Sequence, residues 1–189
     1  MKKKILHVVG GNFSNGAFQG AQILHNELIN QGVDSKILND VFQDKAEKDG
    51  NVISINNNFF KRIKSKIFIV IEKILKSIFL HSPRETFTLG ILGNDITQTN
   101  IYKQADIIHI HWLSQGFIKL SSLKKIKKPI IWTMRDMWAF TGGSHYQMDF
   151  QKYEQGHISK FLKKLKKKYY NQNFNFVSVS KWLKNEAEN

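Results

Sequence analysis

The 189 residues contain no cysteine, which excludes a disulfide framework and a thiolate zinc site and is compatible with the cytosol. No apolar run approaches the ~20 residues needed to span a bilayer. The run after the basic start MKKKILHVVGG is too short for a secretory leader and reads as a first strand. There is no Pro- or Gly-rich linker and no internal repeat, so a tethered array or a solenoid is not expected. Arginine is scarce, with only Arg62, Arg84 and Arg135. The net charge of +14 therefore rests on lysine, from 29 Lys+Arg against 15 Asp+Glu. Specific base reading favours the planar fork of arginine, so the excess suits a general surface potential better than sequence-specific DNA recognition. An anionic partner fits: a membrane surface, a phosphorylated substrate or nucleic acid bound without base reading. A compositional bias toward Lys, Ile and Asn explains the same excess without any partner.

The chain does have the means to bury a core, at 41% hydrophobic and 12% aromatic residues. Apolar, β-prone runs at 4–9, 35–39, 106–111, 130–134 and 175–179 predict strands, with a further candidate at 51–56 and a short one near 87–89. Helical spacing predicts helices over 17–31, 59–80, 95–104, 116–126 and 158–171, and another begins at 181. Gly32 sits where the first helix should be capped. In 59–80 the stripe Phe60, Ile63, Ile67, Ile71, Ile74 and Ile78 predicts the core face, with Arg62, Lys66, Lys73 and Lys76 opposite. In 158–171 the predicted core face is Phe161, Leu165 and Tyr169. Strand–helix alternation gives an α/β fold, a Rossmann-like parallel sheet flanked by helices. A final strand followed by a short helix suggests one domain over 1–180, with 181–189 beginning a connection to a further domain.

Four segments carry candidate chemistry. Gly10, Gly11 and Gly16 lie between a strand and a helix, where backbone N–H groups suit anions, though a tight turn needs the same glycines. The spacing is not G-x-G-x-x-G, which disfavours a dinucleotide-dependent oxidoreductase. His109 and His111 alternate on one strand face, but a metal would need a third ligand that nothing in the sequence demands, so no metal is expected. His109 reads as a packed histidine, and His111 and Trp112 as a pocket wall at the strand's C-terminal end. Arg135 and Asp136 follow the next strand, either as an ion pair or cap, or as a polar cluster facing a cleft. Trp138, Phe140 and Tyr146 supply flat surfaces that sugars use, and Gly142–Gly143 allows close backbone approach. Lys163, Lys164, Lys167 and Lys168 form either a solvated face or one that rests on anionic lipid.

ADIIHIHW, KPIIWTMRDMWAFTGGSHY, FVSVSKWLKN and NGAFQGAQILHNELINQGVDSKIL together resemble the retaining GT-B glycosyltransferases of family 4, in the branch that builds bacterial surface polysaccharides. The resemblance runs over nearly the whole chain and is most specific across 136–146. It implies the N-terminal, acceptor-side half of a two-domain enzyme. The other half would hold a nucleotide-sugar through paired glutamates, which this chain lacks. It implies no metal, no cofactor beyond the nucleotide-sugar substrate, and a glycolipid or glycan acceptor, often polyprenyl-diphosphate-linked. The location implied is cytoplasmic or peripheral on the inner face of the plasma membrane. On this resemblance Arg135 and Asp136 are the catalytic candidates. The substrate-binding candidates are Asn15, Gly16, Ala17, His111, Trp112, Trp138, Gly142, Gly143, His145 and Tyr146. Two departures stand out: Arg135 where the family often has His, and Ser144 where the branch usually has Cys. Transfer by residues 1–189 alone is not expected. The rival reading is a non-catalytic basic α/β module for nucleic acid or phosphorylated ligands.

Overall fold

The computed structural model describes residues 2–41, 50–80, 87–113, 116–170 and 174–188. Among these residues six parallel strands form one sheet in the order β3-β2-β1-β4-β5-β6. They are β1 (Lys4–Val9), β2 (Asp34–Asn39), β3 (Val52–Ser54), β4 (Ile107–Trp112), β5 (Ile130–Met134) and β6 (Phe174–Ser178). The described residues also form the α-helices α1 (Gly16–Asn30), α2 (Phe59–Leu80), α3 (Asn100–Gln104), α4 (Leu120–Leu123), α5 (Gln147–Tyr153), α6 (His157–Tyr169) and α7 (Lys181–Glu188). The sheet is Rossmann-like, as the alternation of elements predicts. Leu6, Val8, Ile108, Ile110 and Ile130 in its middle strands are buried, as expected of strands covered on both faces. No helix among the described residues is long and apolar enough to cross a membrane.

Helix α1 begins where Asn15 Oδ1 accepts the Phe18 amide at 2.7 Å. It ends as predicted at Gly32, whose φ of +78° lets Val33 N–H reach Leu28 O at 2.9 Å. The helix predicted over 95–104 is interrupted: a 3-10 turn, Ile96–Gln98, is followed by a new start at α3, where Thr99 Oγ1 caps the Tyr102 amide. The helix predicted over 116–126 shrinks to one turn, α4. Gly116 has φ +72°, and Phe117 and Lys119 bond sideways to the Asn94 backbone instead of forming a helical ladder. Near 87–89 there is a single bridge, Phe87 to Ser144. Helix α5 had no counterpart in the sequence reading.

The predicted core faces of the two long lysine-rich helices need correction. In α2 the stripe Phe60, Ile63, Ile67, Ile71, Ile74 and Ile78 is exposed, while Ser65, Glu72, Lys76 and Leu80 are buried. The polar side turns inward because the neighbouring backbone requires it. Glu72 Oε1 accepts the amides of Leu89 and Gly90 at 2.7 and 3.3 Å, and Ser65 donates to Asn56 Oδ1 at 2.6 Å. Those amides would otherwise be buried without partners. In α6, Leu165 and Tyr169 pack half-buried against the core as predicted, but Phe161 is exposed, and Ser159, Leu162 and Lys166 are buried. Gly142 sets this rotation: a Cβ there would lie 2.4 Å from Ser159 Cα, so α6 closes onto the loop only over a glycine.

Candidate cleft at the sheet switch point

Strand order reverses between β1 and β4, and open parallel sheets place ligands beyond the C-terminal strand ends at such a point. An open cavity of about 500 Å³ lies there. Asn15, Gly16 and Ala17 enter it from the start of α1, Trp112 from the end of β4, and Arg135 and Asp136 from the end of β5. His145, Tyr146 and Val179 complete the wall. Eight of the twelve sequence-derived candidates therefore meet in one place.

The rest do not reach it. Trp138 is buried beneath the loop, its Nε1 donating to Thr88 O at 2.8 Å. Gly142 and Gly143 are buried, packed against Ser159 and Phe87. These three shape the loop and expose no surface to the cavity. Phe140 lines a separate apolar cavity of about 490 Å³ between β6 and α7. His111 is buried one layer down, beneath Arg135. Lys163, Lys164, Lys167 and Lys168 are exposed on α6, with Lys163 paired to Glu154.

The loop after β1 is held by Asn39 and Asp40 at the end of β2. Asn39 Nδ2 donates to Val9 O and Gly11 O, and Asp40 Oδ1 accepts the Gly11 amide at 2.7 Å. Asn15 occupies itself with capping, which leaves the first amides of α1, at Gly16 and Ala17, without acceptors inside the helix. The helix end adds partial positive charge.

Arg135 lies between α1 and β4. A Cβ on Gly20 would meet its Nη1 at 2.5 Å, so the guanidinium lies directly against the α1 backbone at a glycine and would have to shift for any larger residue. Nη2 donates to His111 Nδ1 at 3.3 Å. A guanidinium cannot accept, so the proton of neutral His111 sits on Nε2 and is donated to His7 Nδ1 at 3.0 Å. His7 Nε2–H then ends the chain with no acceptor among the described residues. Burial, reinforced by neighbouring imidazoles, pushes the His7 pKa down to about 3. Burial and Arg135 lower His109 to about 4, and His111 is pushed lower still, again chiefly by burial.

His7 is the third histidine that the sequence reading did not find. It pairs in register with His109, and the nitrogens of His7, His109 and His111 lie within 4.8 Å of one another. Neutral buried imidazoles could ligate a transition metal. In this arrangement, however, both His111 nitrogens are engaged, His109 Nε2 meets Thr133 Oγ1 at 2.8 Å, and the His109 and His111 rings stack at 4.1 Å. A cation would have to break the His7–His111 bond beside a guanidinium.

Asp136 is likewise committed. Its Oδ1 caps the 3-10 turn Met137–Ala139 by accepting the Trp138 amide at 2.9 Å. Its Oδ2 accepts from His145 Nδ1 at 2.7 Å, and His145 Nε2 shares a hydrogen bond with Thr88 Oγ1 at 2.8 Å. The carboxylate thus orients an Asp136–His145–Thr88 chain at the cavity wall. Lys166 secures the same loop from below, donating to Trp138 O and to Thr141 O, the latter at 3.0 Å. Asn39, Thr88 and Lys166 have no counterpart among the sequence-derived candidates, and Asp40, near the end of β2, is the one of these supports with a local signal.

Compared with known proteins, the chain matches no family model, no curated protein and no solved structure.

Proposed function

We propose that this domain is the acceptor-side half of a metal-independent, retaining glycosyltransferase that uses a nucleotide-sugar to extend a lipid-linked or polysaccharide acceptor. One observation carries the reading. The segments that resemble the family, at Asn15–Ala17, Trp112, Arg135–Asp136 and His145–Tyr146, converge on a single cavity at the sheet's switch point. The chemistry of that wall suits the substrates. The amides opening α1 and the Arg135 guanidinium attract a diphosphate. Trp112 and Tyr146 offer ring faces to a sugar, and Tyr146 is exposed at the rim. Asp136 acts as a positioning group, holding His145 and the loop start in register. Stabilisation of the departing nucleotide falls to the other half of the enzyme. A lipid-linked acceptor would put the reaction at the inner face of the plasma membrane.

The test is a titration of the 189-residue chain with a short-chain prenyl-diphosphate sugar, followed by amide shifts. Shifts should concentrate at Gly16, Trp112 and Tyr146. Tyr146→Ala should weaken binding about tenfold, or about 1.4 kcal/mol. If the same residues respond to RNA or DNA and not to the prenyl-diphosphate sugar, the domain is a non-catalytic basic module instead.

A further inference from the structure

We propose that α2 is an interfacial docking helix that lies flat on an anionic lipid bilayer, with its isoleucine stripe inserted among the lipids. This inference does not depend on what the cleft binds. The helix has 22 residues, about 33 Å of length. Along one side Phe60 is 80% exposed, Ile67 49%, Val70 54%, Ile74 54% and Ile78 60%. A continuous apolar stripe of this size is foreign to the surface of a monomer in water. It is no packing accident, because the opposite side of α2 is tied down by Glu72 and Ser65. The helix cannot roll over to bury its isoleucines without stranding the Leu89 and Gly90 amides.

Charge selects the occupant. Lys61, Lys64 and Lys73 are exposed along the stripe, and Glu72, the only acid in α2, is turned inward. A second copy would bring one lysine rim against another, in a chain of net charge +14. Anionic headgroups complement the rim, and acyl chains accept an aliphatic stripe without requiring hydrogen bonds. An amphipathic helix with lysines beside a broad apolar face is the form that interfacial binding takes. This surface is distinct from the lysine cluster of α6, where Phe161 is the only large exposed apolar side chain.

The absence of cysteine makes the experiment clean. Ile74→Cys and Lys164→Cys variants carry a polarity-sensitive dye and are mixed with vesicles of phosphatidylcholine and phosphatidylglycerol. The dye at position 74 should shift to the blue and the dye at 164 should not. In flotation of the otherwise unaltered chain, Ile67→Ser with Ile74→Ser should reduce vesicle partitioning about tenfold. Raised salt, or Lys61→Gln with Lys64→Gln and Lys73→Gln, should also weaken it. Three outcomes would overturn the proposal. One is partitioning that survives the two serines. Another is binding lost only on neutralising Lys164, Lys167 and Lys168. The third is a dye at 74 already in a dry environment without vesicles and dependent on protein concentration, which would make α2 a dimer seam.

Discussion

Helices α2 and α6 are written in the same alphabet of Lys, Ile, Leu and Phe, and they dock in opposite senses. In α6, Leu162 goes into the core and most of the lysines stay in water. In α2, the isoleucines stay outside, and a carboxylate, a lysine and a serine go in. Each buries a charged side chain that holds backbone: Lys166 on the carbonyls of Trp138 and Thr141, and Glu72 on the amides of Leu89 and Gly90. What each helix turns inward is decided by the polarity of the loop beneath it. A periodic stripe says that a helix has two faces and does not say which is covered.

The largest effect expected is an acid one, and it sets α2 against α1, which roofs the buried imidazoles. His7 and His109 are depressed from their ordinary 6.5 to about 3 and about 4. Below pH 6.5 the unfolded chain therefore binds more protons than the folded one. Stability should fall on acidification by about 1.4 kcal/mol per pH unit for each such group. Burial raises Glu72 above its ordinary 4.5, so its contribution favours folding at low pH and is lost as pH rises through the raised value. Thermal unfolding at pH 7 and 5, with amide exchange read separately in β1 and α2, should show β1 loosening first. Glu72→Gln, which keeps an acceptor for both amides, should be no less stable than the parent at pH 7. A chain equally stable at both pH values would refute the neutral histidine layer.

Next in size is a pair of truncations. Leu162→Ala should cost about 3 kcal/mol in urea unfolding, since the side chain is fully buried. Ile74→Ala should stay within about 0.5 kcal/mol. Comparable costs would mean that α2 is covered after all. A smaller difference is expected between two lysines of α6: Lys166→Met should cost about 2 kcal/mol, because two buried carbonyls lose their donor. The exposed Lys164→Met should have no measurable cost. Equal stability of both variants would mean that the desolvation cost of the Lys166 ammonium cancels its hydrogen bonds.

The strands were legible to within a residue or two because strands covered on both faces read as unbroken apolar runs. The loops that follow them were legible as a site because charge, aromatic rings and glycine crowd the strand ends. His7 was not, since its partners lie about a hundred positions away and only the β1–β4 register unites them. Trp138 was read as a ligand surface and is a buried strut, because nothing local shows that Thr88 O and Lys166 close around it. Helix α5, with its mixed sequence QMDFQKY, offered no apolar period to read.

By itself the sequence determined the parallel α/β sheet, the first helix with its asparagine and glycine ends, and the grouping of candidate residues at strand ends. Those depend on neighbours within a few positions: dihedral preferences, caps and apolar runs. Only the tertiary structure decided which helix faces are wet, which aromatic rings are covered, and that Arg135 and Asp136 spend their hydrogen bonds on His111, His145 and the Trp138 amide. Burial and pairing are relations between distant segments, and a buried polar group takes the partner that the fold brings to it.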